Sequence, residues 1–280
     1  MPDDRAASRP HGRRGAQGDG RAGAGRRPGF RRQGVSGFDL SGQTILVTGA
    51  AGGIGAVTAQ VLAGLGARLV LTDRISCAAT IAGLGEKAST AREVVIDLLD
   101  GDAPRRLSEQ AGPIDAAVLG AGIYRPLDWD DDGWEEIAET TLSLNLMAPM
   151  RLARELVPAM AARGGGRVVL VGSIVAATGG SFPGVGPHYA ASKGGLHTLV
   201  RWLAARFGGQ GVLVNGVAPG ITDTAMVGVH DLSAALAKHP LGRAAQPEEI
   251  AWPIAFLCSP AASFVSGAIL DVNGGAMMRP

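Results

Sequence analysis

Cysteine, aromatic residues and long apolar runs are all scarce in this chain. Its two cysteines, Cys77 and Cys258, stand in no metal-binding or redox spacing. That argues against a disulfide framework or a thiolate metal centre, and it points to a reducing, cytoplasmic setting. No stretch of 18 or more uninterrupted apolar residues occurs, and the N-terminus lacks the apolar middle of a secretory signal, so no membrane partner is expected. Net charge is almost absent at +1, and it is unevenly spread: residues 1–34 hold nine arginines and three aspartates, leaving the rest at −5. The basic residues therefore sit in a tail, and nucleic acid is not an expected partner of the folded part. That tail is built of Arg, Gly, Ala and Pro with Phe30 as its only aromatic. Nothing in it offsets the entropy of ordering, so residues 1–34 read as a disordered Arg/Gly-rich extension. An alternative start at Val35 would make the same stretch translated leader. Residues 35–280 read as one domain.

What is abundant is glycine, with 43 residues, and apolar side chains, at 46% of 280 residues. That is enough apolar area for one large α/β domain with a two-sided core. From Gln43 onward, β-branched runs alternate with helical patterns: TILVTG, RLVLTD, EVVID, DAAVLG, GRVVLVGS, GVLVNGVAPG and AILDVNGG. Seven strands in a βαβ rhythm predict a parallel, doubly wound sheet flanked by helices, and their continuous apolar character predicts cover on both faces.

The first run leads into TGAAGGIG (Thr48 to Gly55) and then an apolar helical pattern ended by Gly66. Strand, glycine turn and helix in that order form a cradle for a pyrophosphate, because backbone N–H groups and a helix N-terminus face the anion. A plain tight turn is the bland rival. Eighteen residues past Gly55 the second strand ends in Asp73, whose carboxylate can accept from ribose hydroxyls and repel a 2′-phosphate, although Asp there also serves as a turn former. Arg74 follows and offsets part of that repulsion. Tyr189 and Lys193 in YAASK lie four apart on a predicted helix, hence on one face. Bringing a phenol from its usual pKa of about 10 to ~7 takes about 4 kcal/mol, which a nearby ammonium helps to supply.

Taken together, TGAAGGIG, Asp73, Asp97, Asn145, Ser173, YAASK and VNGVAPGITDTAM (Val214 to Met226) resemble the short-chain dehydrogenase/reductase family in its roughly 250-residue form, from about Leu40 to Gly275. The resemblance implies a Rossmann-type domain and hydride transfer between NAD and a secondary alcohol or ketone. It implies a catalytic tetrad of Asn145, Ser173, Tyr189 and Lys193. Tyr189 would exchange the proton, Ser173 would hydrogen-bond the substrate oxygen, Lys193 would hold the nicotinamide ribose, and Asn145 would position a water. For the cofactor it implies Gly49, Gly53, Gly55, Asp73, Asp97 and Leu98 on the adenosine side, and Ile221 and Thr224 with the Pro219–Gly220 turn on the nicotinamide side. Ile54, Arg74, Gly120, Ala121, Gly122, Tyr189 and Lys193 complete the cofactor-binding set. Substrate-facing candidates are Ile174, Val175, Phe182, Val185 and Met226, with part of 227–239; their apolar character hints at a ring or acyl chain. A homotetramer through the helices of Asn145–Met160 and Tyr189–Phe207 is also implied.

Three features depart from the family pattern. LGAG (Leu119 to Gly122) replaces the usual NNAG, which removes two amides that support the sheet; the Ser173-to-Tyr189 spacing is long; and Pro253 is predicted to kink its helix. The first of these keeps a non-catalytic dinucleotide-binding sensor as the rival class. His188 and His197 have no acidic partner in view, and Trp129 and Trp134 around Asp130–Asp132 read as a solvated helix start with an aromatic contact. No metal site is expected.

Overall fold

Strand β1 (Thr44–Thr48) is apolar on both sides, as a central strand must be: Leu46 points into one buried cluster, while Ile45 and Val47 point into the other. This is a computed structural model, and it describes residues 37–180, 185–226, 233–237 and 239–278. The tail of residues 1–34 and the candidate Phe182 lie outside the described residues.

From β1 the chain continues through α1 (Gly53–Gly64), β2 (Arg68–Asp73), α2 (Ala78–Ala82) and β3 (Ala91–Val95). It then returns through α3 (Ala103–Ala111), β4 (Ala116–Leu119), α4 (Trp134–Leu142) and α5 (Ala148–Ala162) to β5 (Gly166–Val171). The remainder is α6 (Val175–Thr178), α7 (Pro187–Phe207), β6 (Val212–Pro219), α8 (Ser233–Leu236), α9 (Pro247–Cys258) and β7 (Ile269–Val272). Among the described residues the seven strands make one all-parallel sheet in the order β3-β2-β1-β4-β5-β6-β7. The third strand runs two residues earlier than the sequence predicts, because its register against β2 pairs Asp73 with Val95.

The strand faces alternate cleanly. Ala117 and Leu119 of β4 join the cluster under α3, α5 and α7, whereas Ala116 and Val118 join the cluster under α1 and α9. Each of these layers buries large side chains fully, among them Leu107 and Leu152 on one side and Leu62 and Ile254 on the other. Burying a leucine or isoleucine contributes roughly 1.5–3 kcal/mol. Proline and a capping box fix the start of α9: Pro247 opens it, the Gln246 side chain accepts from the N3 backbone, and the Glu249 carboxylate accepts from Gln246 N at 2.8 Å. Pro253 lies inside α9, which is not interrupted there. Of greatest consequence is the order reversal at β1, flanked by β2 on one side and β4 on the other. The connection from β1 runs towards β2 and that from β4 towards β5, in opposite directions, so a crevice opens at the C-terminal ends of β1 and β4.

Candidate active site

A cleft of about 530 Å³ occupies that crevice. Its floor is the β1–α1 turn, where Gly49 and Gly53 adopt positive φ (73° and 53°), a region open to glycine at little cost. A Cβ on Gly55 would overlap the carbonyl oxygen of Gly49, and one on Gly49 would come within 2.9 Å of the Ala121 backbone. Gly49 and Gly55 therefore have no room for a side chain, and the start of α1 faces the cleft. Its donor set suits a pyrophosphate. At one end Asp73 closes the floor, its carboxylate accepting from Ala51 N at 3.2 Å and Arg74 N at 2.8 Å. Arg74, Asp97 and Leu98 line the same end, with Arg74 exposed.

Where the sequence departs from expectation at LGAG, β1 supplies the support. The hydroxyl of buried Thr48 accepts from both Gly120 N and Ala121 N, each at 3.0 Å, so the β4 end is tied to β1 without the missing amides.

The other end of the cleft holds Ser173, Tyr189 and Lys193. Tyr189 and Lys193 share one face of α7, which Pro187 starts. The Lys193 ammonium donates to Val171 O at 3.0 Å and lies 5.7 Å from the centroid of the Tyr189 ring. Burial lowers Lys193 to about 8. Burial also pushes the Tyr189 phenol up to about 12, opposed by its hydrogen bond with Ser173 and reinforced by neighbouring Tyr124. The cause is the same for both: each charged form is poorly solvated there.

Asn145 does not line the cleft but sits fully buried behind it, in a π-turn (Ser143–Met147) between α4 and α5. Its Oδ1 accepts from Ile123 N at 2.8 Å, and its Nδ2 donates to Ile123 O at 2.8 Å and to Ser192 Oγ at 3.3 Å.

A family model described as Enoyl-(Acyl carrier protein) reductase matches residues 49–277. Galactitol 2-dehydrogenase (L-tagatose-forming) of Cereibacter sphaeroides is 38% identical over 249 residues, covering 85% of this chain and 96% of its own. The chain is a short-chain dehydrogenase/reductase. A second relative, cis-4-hydroxycyclohexanecarboxylate dehydrogenase of Sinomonas cyclohexanicum, is 39% identical, covering 82% and 94%. Among solved structures, one from Agrobacterium tumefaciens, proposed as a 2-deoxy-D-gluconate 3-dehydrogenase and carrying NADP, superposes with a TM-score of 0.79 at 32% identity, covering 86% and 99%. This short-chain dehydrogenase/reductase is thus a hydride-transfer oxidoreductase acting on alcohol or ketone groups.

Within this member of the family, most of the residues picked out from sequence converge on the cleft: Gly49, Gly53, Ile54, Gly55, Asp73, Arg74, Asp97, Leu98, Gly120, Ala121, Gly122, Pro219, Gly220, Thr224 and Met226 all line it. Ile221 does not; its carbonyl accepts from Ala245 N at 2.9 Å, and Thr222 lines the wall instead. Ile174 and Val175 are buried off the cleft, with Ile174 N donating to Pro219 O at 3.0 Å. Half-buried Val185 packs over Gly180. Sequence reasoning gave Thr48 no structural role and passed over Tyr124, whose ring stands 5.1 Å from that of Tyr189. Its signal was rarity, since the chain contains only two tyrosines.

Proposed function

We propose that this enzyme is an NAD-dependent dehydrogenase of secondary alcohols, or reductase of the matching ketones, with Tyr189 as general acid and base. The observation that carries this reading is the meeting of Ser173, Tyr189 and Lys193 at one end of a cleft whose other end is a glycine-rich cradle closed by Asp73. The bound nicotinamide supplies the hydride chemistry. The chain's own task is the proton. In the oxidising direction the alcohol proton passes to the Tyr189 oxygen, and in the reducing direction that oxygen returns it, while the Ser173 hydroxyl holds the substrate oxygen. From about 12, a phenol must drop by roughly 7 kcal/mol of differential stabilisation to act near neutrality. Lys193 and the cationic ring of the oxidised cofactor are the positive charges able to provide it. Because the Asn145 side chain is committed to Ile123 and Ser192, a water link between Lys193 and solvent runs through the Asn145 main chain in this reading. An intact acid–base set beside the cradle disfavours a non-catalytic sensor.

NAD is favoured over NADP in this reading because the Asp73 carboxylate lines the end of the cleft assigned to the adenosine ribose, where it would accept from the hydroxyls and repel a 2′-phosphate, and because Gly52 brings no basic side chain to the cleft. Exposed Arg74 opposes this, at about 1 kcal/mol or less for a screened contact. The Agrobacterium neighbour carries NADP, which weighs on the other side. The test is kcat/KM for both cofactors with one shared secondary alcohol, followed by reduced-cofactor absorbance. About a tenfold preference for NAD is expected, equivalent to ~1.4 kcal/mol, shrinking or reversing in Asp73→Ala. Equal use of NADP by the wild type rejects the assignment. Tyr189→Phe should bind cofactor normally and lose turnover by orders of magnitude; near-normal activity there rejects the acid–base role. A cytoplasmic homotetramer completes the reading.

A further inference from the structure

We infer that Tyr124 is a substrate-contacting residue that selects secondary alcohols and ketones carried on a cyclic carbon skeleton; this rests on Tyr189 being the proton-exchanging group. Aromatics make up 4% of the chain and tyrosine occurs twice, yet both tyrosines are here, their ring centroids 5.1 Å apart and their planes at 69°. Tyr124 is half-buried and directly follows Ile123, the last residue of the β4–α4 loop that lines the cofactor cleft; its ring is not part of that lining but stands edge-on to Tyr189, next to the proposed proton-exchanging group.

Its neighbours on both sides are pinned. Before it, the Asn145 amide holds both the N–H and the carbonyl of Ile123, each at 2.8 Å. After it, the imidazole of buried His188 lies with Nε2 3.1 Å from Arg125 O, a carbonyl that can only accept, so Nε2 carries the ring proton. Gly186, at the foot of α7, leaves no room for a Cβ between the His188 ring and Leu127 O, which sets loop and helix in direct contact. Behind this contact, Trp134 meets His188 edge-on at 6.2 Å, and Trp129 covers Trp134 at 4.9 Å. With the backbone held on both sides of it, the Tyr124 ring offers a flat face next to Tyr189. A ring skeleton matches such a surface without losing internal rotations, whereas an open chain of the same carbon count must freeze them to make equal contact.

The probes are cyclohexanone and 2-hexanone, both of six carbons, titrated by calorimetry into protein loaded with whichever oxidised cofactor, NAD or NADP, it binds; the complex is non-productive, so binding is read without turnover. Cyclohexanone is expected to bind about tenfold more tightly in the wild type and in Tyr124→Phe, and the ratio is expected to fall to within about twofold in Tyr124→Ala. If Tyr124→Ala does not fold, Tyr124→Leu, which keeps volume but not flatness, carries the same expectation. Equal affinities in the wild type, or no detectable binding of either ketone, overturn the inference. So does a ring preference that survives loss of the aromatic ring, or one already lost in Tyr124→Phe, which would assign it to the hydroxyl. Tyr189→Phe run in parallel separates this from the reaction itself: turnover surviving there rejects the proton assignment, whatever the ketone ratio shows.

Discussion

At the level of single residues, Lys193 and Tyr189 are both displaced from their ordinary protonation range by burial, and the two displacements have opposite consequences for stability. Lys193 falls from 10.5 to about 8 in the folded chain, so between those values the unfolded chain binds more protons and stability rises with pH. Below about 8 the full penalty of roughly 3 kcal/mol stands. Tyr189 rises from 10 to about 12, so its contribution is present below pH 10 and is lost as pH climbs towards 12. Subtracting the urea-unfolding profile of Lys193→Met from that of the wild type isolates the lysine. The difference is expected to change by about 3 kcal/mol between pH 10.5 and 8 and to be flat below 8. A difference that stays constant across the whole range would contradict a desolvated ammonium. The same variant is expected to bind NAD more weakly.

Among the structural elements, the β1–α1 turn is the least tolerant of added atoms. Gly55→Ala should lower unfolding free energy by about 1–3 kcal/mol, because its Cβ meets the Gly49 carbonyl and the turn must shift, and it should weaken cofactor binding in step. Urea unfolding and a NAD titration on the same sample check both effects; unchanged stability would mean that the turn has slack. This cradle was legible in the sequence because its chemistry demands absent side chains, and the core strands were legible because burial on both faces demands continuous β-branched runs. β3 was misplaced by two residues since it is an edge strand, with Arg92, Glu93 and Val95 exposed, and its limits come from pairing with β2 instead of from its own pattern. The π-turn at Ser143–Met147 left no trace in composition, and the bonds its Asn145 makes reach Ile123, 22 residues away in sequence. The Thr48 hydroxyl was invisible for a similar reason: its partners at Gly120 and Ala121 are brought near only by the β1–β4 pairing.

At the level of the whole molecule, Met147, Met150 and Trp202 leave large apolar surface exposed on the π-turn, α5 and α7, at 37%, 38% and 56% of their full area. The proposed tetramer would cover these helices, and light scattering at micromolar concentration should give four times the 28.4 kDa chain mass. A monomer mass would reject it. Among the described residues no helix is long and apolar enough to cross a membrane. The strand order carries a different consequence. Strands β2 and β3 lie on one side of β1, and strands β4 to β7 lie on the other. The cleft therefore runs along a seam between an early-made and a late-made half of the chain, and a dinucleotide lying in it acts as a strut across both. NAD at a hundred times its dissociation constant should add about 2.7 kcal/mol to unfolding. The gain should appear as one later transition, since neither half can come apart without releasing the strut.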